Sequence, residues 1–69
     1  MESTITALTA EQLTAVAISA IVAKAALLVR QGEKVWDAYE WAKDAIADFT
    51  ETPDEYQRAI KLLTDALGI

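Results

Sequence analysis

Five carboxylates fall at positions 33, 37, 40, 44 and 48 of the stretch EKVWDAYEWAKDAIAD, residues 33–48. On a helix turning about 100° per residue, this spacing stacks Glu33, Asp37, Glu40, Asp44 and Asp48 along one side. A row of carboxylates can hold a metal, act as acid and base, or attract a basic surface. The first use fits poorly, because bundle-type dimetal sites require Glu-x-x-His and calcium loops require alternating acids around a glycine with a distal Glu. The chain has no His at all, and its acids do not follow the calcium pattern.

Catalysis is not expected either. With neither His nor Cys, it would rest on carboxylate pairs, Lys24 or tyrosine hydroxyls, and nothing in their spacing nominates a pocket. Lys24 itself reads as a snorkelled or ion-paired lysine rather than a reactive amine, since no activating group stands near it in the pattern. Gly32 and Gly68 are the only glycines, so no glycine-rich phosphate or dinucleotide loop can be built. No cofactor and no metal is implied.

Attraction remains, and the charge map favours it. Residues 33–55 hold eight acids and two lysines, net −6, whereas residues 1–32 are neutral and 56–69 net +1. The overall charge of −5 argues against direct nucleic-acid binding, because phosphate would be repelled. One reading of the acidic line is a solvated face that keeps an apolar little protein soluble. The other is a docking surface for a basic protein, since clustered like charges weaken their own helix by a few tenths of a kcal/mol per pair. Trp36 and Trp41 border the line, and aromatics beside charge are common binding anchors. Successive carboxylates about 5–6 Å apart also approach the separation of phosphates along a strand, so nucleic-acid mimicry is a permissible form of the docking reading.

The elements that position these residues follow from capping and periodicity. Thr9 with Gln12 forms a capping box at the head of a first helix, with Leu8 placed to staple against Leu13. This helix is expected over residues 10–31 and stops at Gly32, although a kinked helix running through Gly32 is the alternative. A second helix follows over 33–49, with no good N-cap at Glu33 or Lys34. Its stripe of Val35, Ala38, Tyr39, Ala42, Ala45, Ile46 and Phe49 faces a core. Thr52-Pro53-Asp54-Glu55 then opens a third helix over 53–67, which carries Tyr56, Ala59, Ile60, Leu63, Ala66 and Leu67 on one face and ends at Gly68.

The expected fold is an all-α three-helix bundle, one domain over residues 1–69, with 1–8 as a flexible arm. The first helix has a surplus of apolar surface. One face holds Leu13, Val16, Ala17, Ala20, Ile21, Leu27 and Leu28, with Lys24 in its middle, and is assigned to the core. A second face, with Ile18, Val22, Ala25 and Val29, is left over and expected to form a homo-oligomer interface. Small residues at Ala15, Ser19 and Ala23, or at Ala17, Ala20 and Ala25, would let backbones approach closely. A chain of this length buries only about 60% of its unfolded surface, and it has no cysteine to staple it, so self-association or a partner is the remaining remedy.

Localisation is expected to be cytoplasmic, because Met1 to Thr9 carries Glu2 and no basic residue. The run from Leu13 to Val29 is short for a membrane span and is interrupted by Lys24, so membrane insertion is the distant reading. The sequence therefore suggests a non-enzymatic protein-binding module, a small acidic inhibitor or adaptor. The alternative is a structural subunit that homo-oligomerises through its first helix.

Overall fold

Both ends of α1 and α3 in the computed structural model, which describes residues 9–69 with the backbone alone at Glu11, can be traced to a capping device. Helix α1 spans Ala10–Arg30. The Thr9 hydroxyl accepts the Gln12 N–H at 3.1 Å, and the Gln12 side chain accepts the Thr9 N–H at 2.9 Å. This is the reciprocal box expected from the sequence, and it satisfies two of the donors that a helix start leaves open. Leu8, the other half of the expected staple, lies outside the described residues, as does the arm assigned to 1–8.

The α1 terminus is a break and not a kink. Gly32 sits at φ +106°, in the region that L side chains rarely adopt. From there its N–H donates to the Val29 carbonyl at 3.0 Å, and the Glu33 N–H donates to the Leu28 carbonyl at 2.9 Å. That pair of bonds is a Schellman closure. It also corrects the start of the second helix: Glu33 is spent on closing α1 and Lys34 is extended, so α2 spans Val35–Phe49. Lys34 offers no side-chain cap, as its residue type implies. Helix α3 spans Pro53–Leu67, with Thr52 accepting the Glu55 N–H at 3.2 Å and Pro53 in the first turn. The Glu55 carboxylate accepts the Glu51 N–H at 2.9 Å, which ties the loop to the new helix.

The three helices pack pairwise into an all-α bundle. Its buried core is small: Ile18, Ile21 and Ala25 from α1, Ala38, Ala42 and Ile46 from α2, and Ala59 and Leu63 from α3. Half of these side chains are alanines, which let the backbones come close but bury little apolar area each. Val22, Leu28, Val29, Tyr39, Ala45, Tyr56, Ile60 and Leu67 close around them, half-buried.

The sequence expectation for the two α1 faces holds in part: Ile21 is buried and Leu28 packs against the core as expected, but the rest of the inner side comes from the other face. Ile18 and Ala25, expected at an oligomer interface, are buried within the chain, and Val22 and Val29 pack against the same core. Leu13, Val16 and Leu27, expected inside, are 54%, 59% and 41% exposed. Lys24 supplies the physical reason. It lies at the border between the Leu13–Leu27 side and the side of Ile21 and Leu28 and is exposed, so turning the Leu13–Leu27 side against two apolar neighbours would strand a charge. Two smaller corrections follow from helix ends: Phe49, the last residue of α2, is 50% exposed, and Ala66 is also outside the core.

Candidate functional site

Helix α2 presents its polar side to solvent from first turn to last. Asp37, Glu40, Asp44 and Asp48 are all exposed and share this side, because the opposite side is committed to the core through Ala38, Ala42 and Ile46. Glu33 is exposed too, but it sits in the connector ahead of the helix rather than on the helical line. The row is therefore four helical carboxylates led by a fifth.

One carboxylate is partly answered from within. Lys43 Nζ lies 3.2 Å from Glu40 Oε1, one turn away on the same helix. Its hydrogen bond to Glu40, and then the charge of that carboxylate, hold the Lys43 ammonium above its usual pKa of 10.5. The other ion pair among the described residues joins Lys61 to Asp65 on α3 at 3.8 Å. Neither is formed by Asp37, Asp44 or Asp48, so among the described residues no ion pair reaches those three carboxylates. Among the described residues no cluster of three or more ligating side chains could hold a metal ion.

The tryptophans stand on either side of the carboxylate row. Trp36 is 60% exposed and Trp41 43% exposed, large fractions for the two bulkiest side chains of a protein with so small a core. Trp36 is held edge-on by Tyr39, ring centroids 5.6 Å apart and planes at 78°. Tyr39 in turn packs against the core. The indole is thus propped from below while one side stays open, the state in which an aromatic loses little freedom on binding. All seven residues expected at a partner surface are accordingly exposed, six of them on α2 and Glu33 ahead of it.

A second feature was not assigned from the sequence. The exposed outer side of α1 reads Leu13, Val16, Ala20, Ala23, Leu27 and Arg30, spaced alternately three and four apart. That is the seam spacing of a coiled coil, and it could have been found by counting heptads instead of faces. Beside it, α1 and α3 leave a shallow groove of about 250 Å³, where Ala15, Ile18 and Ser19 face Ala59 and Leu62. The groove continues past Val22 and Ala23 to Ala66. By length and composition α1 is also apolar enough to cross a membrane over Gln12–Arg30, and only 11% of that stretch is buried within the bundle. No protein-family model matches the chain, and no curated protein and no solved structure is similar to it.

Proposed function

We propose that the protein is a non-enzymatic binding module, a small acidic inhibitor or adaptor that docks the outer side of α2 onto a basic protein surface. The observation that carries this reading is the pairing of two exposed tryptophans with the carboxylate row between them. A row that served solubility alone would need no large aromatic at its margins, and exposing indoles costs the free protein apolar burial. Together they supply the two parts of a protein interface: a field that steers encounter and anchors that hold the complex. The row lies on one helix, so its spacing is rigid, and mimicry of a phosphate strand is one form this recognition takes.

The test is kinetic. A tagged wild-type chain and the triple variant Asp37→Asn, Glu40→Gln, Asp44→Asn are used to capture partners from the native host, and association rates with the captured protein are measured against ionic strength. Wild-type association should slow steeply as salt approaches the range where the screening length falls to about 8–10 Å. The triple variant should keep its helical circular dichroism and associate at least about tenfold more slowly at low salt. A flat salt dependence, or a triple variant as fast as wild type, sinks the docking reading. Trp36→Ala should act differently, raising the dissociation rate with little change in association.

A further inference from the structure

Among the described residues, eight large apolar side chains are well exposed, namely Leu13, Val16, Leu27, Trp36, Trp41, Phe49, Leu62 and Ile69, against four buried in the core, Ile18, Ile21, Ile46 and Leu63. Three of them, Leu13, Val16 and Leu27, lie on the outer seam of α1, and Leu62 lines the groove beside it with Ser19 and Ala23. We infer that a second copy of this chain covers this face, with the two α1 helices antiparallel and crossing at Ala20 and Ala23.

Charge and dipoles along the seam carry the orientation, because a parallel pairing would also match every layer in size but would set Arg30 against Arg30 and align the two helix dipoles. Leu13, Val16, Ala20, Ala23, Leu27 and Arg30 run large, large, small, small, large, long. Reversing the helix about a two-fold axis between Ile21 and Val22 sets Ala20 against Ala23 of the second copy, Val16 against Leu27, and Leu13 against the stem of Arg30. Each layer then meets a layer of matching size, and the interface is isologous, as closed dimers are. The alanine layers let the axes approach to about 8 Å, while the leucines fill the space above and below. Helix dipoles oppose in this arrangement and add to it. Lys24 flanks the seam and meets Ala17 of the second copy, so no like charge confronts it.

The area is sufficient, though modest. From Leu13 to Arg30 the seam is about 26 Å long, and a strip about 10–12 Å wide gives about 300 Å² per copy. The ledge of Leu62 and Ala66 along the α1–α3 groove brings this toward about 500 Å², so both copies together bury about 1,000 Å², the lower limit of a specific interface. A dimer with a micromolar dissociation constant is the expected result. A bilayer is the poorer occupant of the same face: α2 and α3 already cover the other side of α1, Lys24 borders the seam, and a chain of charge −5 is repelled by anionic headgroups.

Sedimentation equilibrium of the full chain across the micromolar range decides between these. Wild type should pass from monomer to dimer, and Ala23→Glu, at an exposed position, should stay monomeric and helical by circular dichroism. Ala20→Gln, which adds bulk without charge, should weaken dimerisation at least tenfold and serves if the glutamate variant fails to fold. For orientation, the absence of native cysteine allows clean cross-linking. Val16→Cys mixed with Leu27→Cys should oxidise to the mixed dimer, whereas Val16→Cys alone should not, its two sulfurs being about 16 Å apart along the axis. A wild type that stays monomeric throughout, or an Ala23→Glu variant that dimerises like wild type, overturns the inference. Rapid self-cross-linking of Val16→Cys overturns the antiparallel arrangement. Monomeric wild type that sediments with neutral phosphatidylcholine vesicles, while Ala23→Glu does not, overturns it in favour of a lipid surface.

Discussion

Leu62 and Leu63 are adjacent and chemically identical, yet Leu63 is fully buried and Leu62 is 55% exposed. Replacing each by Ala therefore separates what holds the monomer together from what its surface offers. Leu63 is fully buried in a core cluster that also holds Ala25, Ala42 and Ala59, side chains too short to follow into a vacated space. The cavity should persist, and the cost should sit in the upper part of the usual range, about 3–4 kcal/mol. A chain of this length has a total stability of about 3.5–10 kcal/mol, so Leu63→Ala removes a third of it or more. With about 4–8 °C of melting temperature per kcal/mol, the midpoint should drop by at least about 12 °C.

Leu62→Ala leaves no internal cavity and exchanges one good helix former for another, so it should change stability by less than about 1 kcal/mol in dilute solution. The assay is urea unfolding followed by circular dichroism, at low and at high protein concentration. Should α1 pair with a second copy, the small cost of Leu62→Ala grows with concentration, because the ledge is then covered, while that of Leu63→Ala stays constant. Equal losses from both variants at the lowest concentration would refute the burial pattern of α3. No loss from Leu63→Ala would refute the core itself.

The ends of the helices offer further checks. Gly32→Ala places a Cβ in open space but at φ +106°, so its cost should be backbone strain alone, about 1–2 kcal/mol by thermal or urea unfolding. Thr9→Ala removes one arm of the capping box and should cost about 1 kcal/mol, with amide exchange quickened in the first turn of α1 and nowhere else. The Lys43 ammonium, titrated by NMR, should show a midpoint above 10.5 that returns toward the ordinary value in Glu40→Gln. Because the folded-state pKa is raised, whatever stability that pair lends is complete below about pH 10.5 and fades as pH rises through the folded value.

Where punctuation is chemical, sequence reading locates it well. Thr9 with Gln12, Gly32, Thr52 with Pro53, and Gly68 each act through their own side chain or their own φ, and each boundary falls within two residues of its expected place. The start of α2 was the least determined, since neither Glu33 nor Lys34 can cap. It moved inward because Glu33 lends its N–H to closing α1, a bond that only the three-dimensional turn reveals. The carboxylate row was equally readable on α2, because a helix with one apolar stripe has only one way to face.

Helix α1 resisted the same treatment because periodicity ranks faces by apolar content, and here two faces are apolar. Counting favoured Leu13, Val16, Ala17, Ala20, Ile21, Leu27 and Leu28, which together offer more hydrocarbon than Ile18, Val22, Ala25 and Val29, and of these Ile21 and Leu28 do pack inside. Burial is decided by the worst residue on a face as well as by the sum, and Lys24 at the border of the Leu13–Leu27 side costs more to enclose than the extra methylenes return. The β-branched Ile18, Ile21, Val22 and Val29 have few rotamers to lose, and with Ala25 fully enclosed between them they pack against the alanines of α2 and α3 at close range. The choice of inner face therefore leaves the leucine-rich, heptad-spaced side outside. Such a side is kept either at the cost of weak stability or by being covered, and the acidic side of α2, carrying its charge on a different helix, stays open whichever of these α1 does.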